Sequence, residues 1–236
     1  MRYFRLKWAF WGALLGIFVV GLPDMRQTPA HDRYNDALYS VIPKDSKHIV
    51  EIGCSTGALA KAWKKARPEC NYVGVEIDPE YAQAARKWCD LVVVQDVEAV
   101  PLALRPDCWV LGDVLEHLRD PWSFVQHLRG LGGAVCASIP NIQHWTVQGN
   151  LACGLFEYQD EGIMDRTHLR WFTKQSIPGL FEGYRIEAFL GTINPEQPPA
   201  PILAAIRTIA VYAGMDPNEA GASCMPVQYV LRAVPI

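Results

Sequence analysis

Small residues and an acid with the spacing of a nucleotide-binding site stand out in this sequence. The run HIVEIGCSTG, residues 48–57, has the pattern of a buried strand that breaks into a small-residue loop and then a helix. Such a loop lets backbone N–H groups approach a ligand closely, because no bulky side chain intervenes. Glu76 follows Gly57 by 19 residues, at the end of a second apolar run, where a carboxylate can bind both ribose hydroxyls. Burying this acid is costly unless something binds it, which favours a nucleoside cofactor.

The order of glycines in the loop distinguishes between cofactors. A dinucleotide-binding loop has the order G-x-G-x-x-G, and the third glycine is missing here. With Glu51 before it, the run E-I-G-C-S-T-G resembles motif I of the class I S-adenosylmethionine (AdoMet)-dependent methyltransferases, with Ser55 in place of the middle glycine. The resemblance implies that Gly53, Ser55 and Gly57 surround the aminocarboxypropyl end of AdoMet. A strand-to-helix turn that binds nothing is the alternative for the loop alone.

Two further runs resemble the same family. In V-E-I-D-P-E, residues 75–80, Asp78 and Pro79 also have the types expected at the start of a helix, which leaves Glu76 as the ligand. The resemblance implies that Glu76 binds the ribose and Ile77 the adenine face. The other residues that it implies for cofactor binding are Asp96 and Val97 at the adenine edge, together with Glu51 and Asp113.

Two motifs further along the chain bear on the acceptor. Residues 113–121, D-V-L-E-H-L-R-D-P, resemble a signature of one large methyltransferase subgroup. Residues 165–173, D-R-T-H-L-R-W-F-T, resemble a run found in methyltransferases that modify cell-surface polysaccharides and sugars. Residues 138–145 leave the predicted sheet at its carboxyl edge, where open α/β sheets bind ligands. These segments predict a saccharide or another small hydroxylated acceptor.

Three histidines are candidates for a general base. Methyl transfer to oxygen requires the acceptor to lose a proton, and an imidazole with a pKa near neutrality can take it. His144 and His168 rank above His117, because their segments are expected to meet the acceptor. Each also has a structural alternative: His117 as a packed or cofactor-side residue, His168 as a turn residue paired with Asp165, and His144 as an inert loop residue.

Composition restricts the class of protein. The chain has 236 residues, half of them hydrophobic, which is enough for one sizeable core. Its seven cysteines have no C-x-x-C spacing, which predicts reduced thiols in a reducing compartment and no metal site. A net charge of −3 without a lysine or arginine block argues against a nucleic-acid partner. The oligomeric state stays open.

The first residues do not fit a cytosolic enzyme easily. Residues 8–22 are uncharged and apolar and follow Arg2, Arg5 and Lys7, but they are fewer than the roughly 20 residues of a spanning helix. Residues 1–24 are therefore interpreted as a leader, and residues 25–236 as the methyltransferase domain. The leader is a membrane-surface anchor on the cytoplasmic side, a secretion signal, or an extension before the true start at Met25; the first and third are favoured equally.

The remaining pattern predicts an α/β fold with a Rossmann-like, doubly wound sheet of seven strands. Strands and helices alternate, which is typical of a parallel sheet with crossovers on both faces, and the family resemblance implies an antiparallel final strand. After the strand that begins at residue 48, the predicted strands are residues 72–77, 91–96, 108–113, 134–139, 184–190 and 227–234. The predicted helices are residues 34–41, 58–66, 79–88 and 121–129.

The sequence thus predicts an AdoMet-dependent methyltransferase, with O-methylation of a saccharide or small hydroxylated metabolite as the first hypothesis. An N- or C-methyltransferase and a non-catalytic AdoMet-binding protein are the alternatives. A cytoplasmic location follows from the cofactor, with membrane contact through residues 8–22 as a possibility.

Overall fold

Seven strands form a single sheet in the computed structural model, which describes residues 28–29 and 32–236. The sheet order is β3-β2-β1-β4-β5-β7-β6. Strands β1 to β5 pair in parallel, and β7 is antiparallel to both β5 and β6. The strands are β1 (His48–Ile52), β2 (Asn71–Glu76), β3 (Leu91–Val94), β4 (Cys108–Gly112), β5 (Ala134–Pro140), β6 (Tyr184–Ile193) and β7 (Pro226–Pro235). The predicted doubly wound sheet with an antiparallel final strand is confirmed.

Helices cover both faces of this sheet. They are α1 (Asp36–Val41), α2 (Ala58–Ala66), α3 (Pro79–Ala85), α4 (Pro121–Leu131), α5 (Trp145–Ala152), α6 (Ala200–Tyr212) and α7 (Pro217–Ser223). Short 3-10 turns occupy Leu115–His117 and Ile177–Phe181. Alternate residues of the strands enter two apolar clusters, so that Ile49 packs on one face of the sheet and Val50 and Ile52 on the other. The central strands β1, β2, β4 and β5 are therefore buried from both sides, as in other parallel sheets, whereas the edge strands β3 and β6 are partly exposed.

Local sequence explains where the predicted helices begin. Asp78 accepts backbone hydrogen bonds from Glu80 and Tyr81, and Pro79 occupies the first turn of α3. Asp120 caps α4 in the same way by accepting from the N–H of Ser123. The predicted capping role of Asp78 is confirmed, which leaves Glu76 two residues earlier at the end of the strand.

Helices α5, α6 and α7 were not predicted. Helix α5 has the sequence WTVQGNLA, in which a glycine and β-branched residues weaken helix propensity and blur the apolar period. Helix α6 begins within a proline-rich stretch, residues 195–201, which conceals its start, and Pro201 is tolerated in its first turn. His144 lies at the N-cap of α5, at the end of the irregular loop that follows β5.

The strand order reverses between β1 and β4, which are neighbours although β2 and β3 come between them in the chain. Ligands of open α/β sheets bind outside the carboxyl ends of the strands at such a switch point. The predicted cofactor loop follows β1, and the D-V-L-E-H motif follows β4. The topology therefore brings these two motifs to the same place.

None of the helices in the described residues is long and apolar enough to cross a membrane. The predicted leader at residues 1–24 lies outside the described residues, as does the alternative start at Met25.

Candidate active site

The loop between β1 and α2 has three residues in the left-handed backbone region: Gly53 (φ 66°), Ser55 (φ 48°) and Gly57 (φ 83°). Glycine adopts this region without strain, whereas a residue with a Cβ does so at a cost. Space is also short at Gly53, where an added Cβ would lie 2.8 Å from Cγ2 of Val114. Ser55 thus replaces the middle glycine of the motif while keeping a backbone conformation that glycine prefers.

Glu76 ends β2 with a buried carboxylate that backbone groups hold from two sides. The residue is 3% exposed. Its Oε2 accepts from the N–H of Ser55 at 2.7 Å, and Oε1 accepts from Ile77 at 2.8 Å and from Asp78 at 3.0 Å. The backbone itself therefore supplies hydrogen-bond donors to the Glu76 carboxylate, where the sequence predicts that a ligand supplies them. These bonds fix the carboxylate against the loop, so loop and acid form one unit.

The residues predicted to meet adenine lie at the ends of the adjacent strands β2 and β3. Ile77 is an aliphatic residue that is 52% exposed directly after β2. Asp96 follows β3, is partly exposed, and accepts a hydrogen bond from the N–H of Glu98 at 2.9 Å. Val97 packs partly against the core. An apolar face and a carboxylate are thus available on the same side as Glu76.

Glu51 lies inside the fold, beneath the loop. It is 6% exposed, and its Oε2 accepts a hydrogen bond from the hydroxyl of Tyr72 at 2.9 Å. Burial raises the pKa of Glu51 well above its usual value, although the bond from Tyr72 opposes this shift. The structure therefore places Glu51 in the core that supports the loop, with a protein hydroxyl as its partner.

Asp113 connects three strands at the carboxyl end of β4. It has a left-handed backbone (φ 53°), and its Oδ1 accepts from Ser138 on β5 at 3.2 Å and from Gln228 on β7 at 2.8 Å. The surrounding protein raises the pKa of Asp113 by desolvation, while hydrogen bonds from these two partners oppose the rise. Asp113 thus holds together the strands on the acceptor side of the switch point.

This arrangement fits AdoMet. The loop with its glycine-type backbone, the fixed Glu76 carboxylate and the exposed Ile77 side chain follow one another along the ends of β1 and β2. A nucleoside with an amino-acid tail needs these three surfaces in this order: close backbone approach, an acceptor for hydroxyls and an apolar face.

His117 and His168 form a pair after β4, with ring centroids 4.8 Å apart and planes at 73°. Nδ1 of His168 lies 3.1 Å from the carbonyl oxygen of Ile163, which can only accept, so this nitrogen carries the proton. The hydroxyl of Thr167 donates to Asp165 at 2.7 Å and accepts from Nδ1 of His117 at 3.1 Å. Each imidazole therefore keeps its lone pair on Nε2.

Both imidazoles of this pair are held in the neutral form. Burial, and to a smaller extent the neighbouring His168, lower the pKa of His117 to about 4, against the opposing effect of Asp165. Burial also lowers the pKa of His168. At neutral pH the pair is therefore uncharged.

Glu116 lies beside this pair and was not among the predicted site residues. It is 1% exposed, and neither of its carboxylate oxygens has a hydrogen-bond partner within the described part of the chain. Nε2 of His168 is 3.9 Å from Oε1 of Glu116. Burial raises the pKa of Glu116 well above its usual value, and the nearby Asp113 and Asp165 raise it further. The D-V-L-E-H motif contains this residue, but only the fold shows that its carboxylate points inward.

His144 lies apart from the pair. It is 5% exposed, its Nδ1 is 2.7 Å from Oγ1 of Thr146, and it accepts from the N–H of Thr146 in capping α5. Among the described residues it shares no hydrogen bond or ring contact with His117 or His168. The structure thus brings together two of the three predicted histidines and gives the third a capping role.

The D-x-T-H segment is built around Asp165 rather than around an Asp165–His168 pair. Asp165 accepts from the N–H and hydroxyl of Thr167 and, at 2.8 Å, from the hydroxyl of Thr28. The N–H groups of Leu169 and Arg170 donate to the backbone carbonyl of Glu116 at 2.8 and 3.0 Å. These bonds connect residues 165–170 to the turn after β4 and so position the histidine pair.

Comparison with known proteins agrees with this geometry. Residues 50–132, about a third of the chain, match the family described as a methyltransferase domain. No curated protein matches the chain. One similar solved structure is the complex between the Haloferax volcanii Trm112 methyltransferase activator and a protein described as a methyltransferase; it has 14% identity, covers 85% of this chain and 86% of that one, and has a TM-score of 0.55.

Two other solved structures have the same fold. The plantazolicin methyltransferase BpumL, solved with S-adenosylhomocysteine, has 13% identity, covers 84% of this chain and 80% of its own, and has a TM-score of 0.53. A methyltransferase from Archaeoglobus fulgidus that depends on AdoMet has 18% identity, covers 81% and 87%, and has a TM-score of 0.50. At these identities the likeness shows the fold. The family match of residues 50–132 agrees with the predicted enzyme class, a class I AdoMet-dependent methyltransferase, and with its cofactor.

Proposed function

We propose that this enzyme transfers the methyl group of AdoMet to a hydroxyl oxygen of a saccharide or a related small hydroxylated metabolite. The observation that carries the proposal is the neutral pair His117 and His168, whose Nδ1 protons are committed to protein acceptors after β4. Its Nε2 lone pairs can accept a hydrogen bond from a hydroxyl. The resemblance of residues 165–173 to sugar-modifying methyltransferases supports a saccharide.

The cofactor is held by the residues that follow β1, β2 and β3. In this proposal Gly53, Ser55 and Gly57 surround the aminocarboxypropyl end, and Glu76 accepts hydrogen bonds from the ribose. Ile77 covers the adenine face, and Asp96 and Val97 lie at the adenine edge. Glu51 and Asp113 act by supporting the loop and the end of β4, because both are bonded to protein groups.

When bound, AdoMet supplies an electrophilic methyl group on a sulfonium, which an acceptor oxygen displaces in line. The protein therefore has to hold the acceptor near attack distance and exclude water. Residues 138–145 and 165–173 are joined to each other, since the N–H of Ile142 donates to the carbonyl of Phe172 at 2.9 Å, and in this proposal they form one wall of the acceptor site. The hydroxyl proton leaves as the O–C bond forms and the C–S bond breaks.

The histidine geometry changes the ranking of the predicted bases. A pKa of about 4 makes His117 a poor proton acceptor at neutral pH. His144 is engaged in capping α5. His168 remains the best placed of the three. The weak basicity of the pair also favours one competing function, an N-methyltransferase, because an amine attacks in its free-base form and needs no such residue.

A screen with methyl-labelled AdoMet against hydroxylated sugars, nucleotide sugars and matched amino sugars tests this proposal. We expect label in the hydroxylated acceptors, with the new methyl carbon attached to oxygen by NMR. Label on the amine of the matched amino sugars would favour the N-methyltransferase. Tight AdoMet binding without turnover on any acceptor would instead favour a non-catalytic binding protein.

We also propose that residues 25–236 form the methyltransferase domain and act in the cytoplasm, where AdoMet is available, with residues 1–24 affecting location only. Thr28, whose hydroxyl bonds to Asp165, belongs to this domain. A chain that starts at Met25 should therefore bind AdoMet as tightly as the full chain does. Loss of binding in the shortened chain would show that the leader is part of the fold.

A further inference from the structure

Glu116, His117 and His168 form a compact cluster after β4 in which each residue offers one ligand atom, and these atoms all lie within 4.8 Å of one another. The cluster joins a turn after β4 to a segment about fifty residues later, so spacing along the sequence does not reveal it. We propose that this cluster binds a divalent first-row transition-metal cation.

The carboxylate of Glu116 is the first reason. A buried carboxylate without hydrogen-bond donors is costly, and the usual solutions are a charge partner or a metal ion. Both oxygens of Glu116 lack hydrogen-bond partners among the described residues, and no lysine or arginine of that part of the chain pairs with it. A cation in the cluster would compensate this charge.

The histidines are the second reason. Metal-binding imidazoles typically donate their other ring N–H to a carbonyl or a carboxylate, which fixes the tautomer. His168 donates to the carbonyl of Ile163, and His117 donates to Thr167, which in turn donates to Asp165. Both rings thus use Nδ1 as the donor, which leaves Nε2 as the nitrogen that can bind a cation.

Distances and ligand types identify the class of ion. Two ligands about 2.1 Å from one ion lie at most about 4.2 Å apart. The 3.9 Å between Nε2 of His168 and Oε1 of Glu116 is within this range, whereas the 4.8 Å bound on the whole cluster exceeds it, so binding of one ion requires a small movement of the side chains. Two imidazoles and one carboxylate suit Zn²⁺, Fe²⁺, Co²⁺ or Ni²⁺ better than Mg²⁺ or Ca²⁺, which prefer oxygen ligands. Three protein ligands also leave a position open for an oxygen of the acceptor.

With the ion bound, the Nε2 atoms of His117 and His168 hold the metal and no longer accept a hydrogen bond from the acceptor, so activation of the hydroxyl falls to the ion. Zn²⁺ lowers the pKa of a bound water from 15.7 to about 7, and an acceptor hydroxyl on such an ion likewise releases its proton to solvent more easily. This use of the ion rests on the proposed O-methylation, whereas binding of the ion does not.

Titration of the metal-free full chain with Co²⁺ and Zn²⁺, by calorimetry and by the visible spectrum of Co²⁺, tests the site. We expect one ion per chain and at least tenfold weaker binding in Glu116→Gln and His168→Ala. The matched control is His127→Ala, since His127 lies on α4, outside the cluster, with its Nε2 2.8 Å from the carbonyl oxygen of Leu102. Absence of saturable binding, or equal losses in the control and the cluster variants, would overturn the proposal.

X-ray absorption of the Zn²⁺-loaded wild-type chain provides a test that needs no variant. We expect scattering from two imidazoles, and a site without imidazole scattering would overturn the assignment. Measured separately, methyl transfer keeps the two proposals distinguishable. If the chain binds the ion but methylates no acceptor, the metal site is supported and the proposed function is wrong. If the chain methylates a hydroxylated acceptor but binds no ion, the proposed function is supported and the metal site is wrong.

Discussion

Glu76 and Glu116 are two buried carboxylates at the same edge of one sheet, and the protein treats them differently. Glu76, at the end of β2, accepts hydrogen bonds from three backbone N–H groups. Glu116, after β4, has no hydrogen-bond partner for either oxygen within the described residues. Both are almost fully buried, at 3% and 1% exposure.

The difference shows what each half of the site is built for. The cofactor half consists of the loop after β1 and Glu76. Its hydrogen bonds are formed without a ligand, because the loop N–H of Ser55 donates to Glu76, and the ribose that it would bind is neutral. On the other side, in the acceptor half, Glu116 is a buried acid without a hydrogen-bond partner in the described part of the chain, and the proposed cation would supply that partner. A buried carboxylate that accepts hydrogen bonds from backbone N–H groups stabilises the fold. A buried carboxylate without hydrogen-bond donors destabilises the fold unless a ligand or an ion binds it.

Replacing each acid with leucine should give the largest contrast. Glu76→Leu removes three charge-assisted hydrogen bonds and should lower the free energy of unfolding by about 2–4 kcal/mol. Glu116→Leu removes a carboxylate without donors and should leave the metal-free protein unchanged or more stable by about 1–2 kcal/mol. Urea denaturation in the presence of a chelator measures both. Equal destabilisation by the two variants would contradict the comparison.

The cofactor half can be tested by binding. Glu76→Ala should weaken AdoMet binding about 100-fold, because the ribose loses a charged acceptor and the loop loses its anchor at Ser55. Glu80→Ala removes the same charge from an exposed position on α3 and should keep the wild-type affinity. Calorimetry decides between them. An unchanged affinity in Glu76→Ala, or tight binding of NAD by the wild type, would contradict the cofactor assignment.

A smaller effect should follow from Thr167→Val, which keeps the shape of the side chain. The variant removes the hydroxyl that connects His117 to Asp165, so the imidazole loses its fixed tautomer. Loss of such an outer partner typically weakens metal binding about 10–100-fold. Co²⁺ affinity should fall at the lower end of this range while AdoMet affinity stays unchanged. A parallel loss of both would indicate a folding defect instead.

The smallest effect concerns the loop. Ser55→Gly should raise the free energy of unfolding by less than about 1 kcal/mol, because relief of the left-handed strain exceeds the entropy cost of glycine only slightly. AdoMet affinity should stay within about threefold, since the backbone N–H of residue 55 forms the bond to Glu76. Ser55→Ala keeps the Cβ and should show no gain in stability. A large loss of affinity in Ser55→Gly would show that the hydroxyl itself binds the cofactor.

The sequence predicts the cofactor half better than the acceptor half, for a physical reason. Gly53, Gly57 and Glu76 belong to short strand-loop-helix units, in which local residue types determine the backbone. Glu116 and His168 are brought together by long-range hydrogen bonds, such as those from the N–H groups of Leu169 and Arg170 to the carbonyl of Glu116. Such bonds produce no periodic pattern in the sequence. His144 shows the same limit, since a helix with a central glycine concealed its capping role.

Strand β7 lies between β5 and β6, although both precede it in the chain. Ser138 pairs with Val230, 92 residues later, and β6 is joined to the sheet by β7 alone among the described strands. During synthesis β5 and β6 leave the ribosome first, and pairing over so long a separation is slow. Gln228, which holds Asp113, arrives with β7. A nascent chain therefore has its cofactor loop early but gains an assembled acceptor side only after residues 226–235 have emerged.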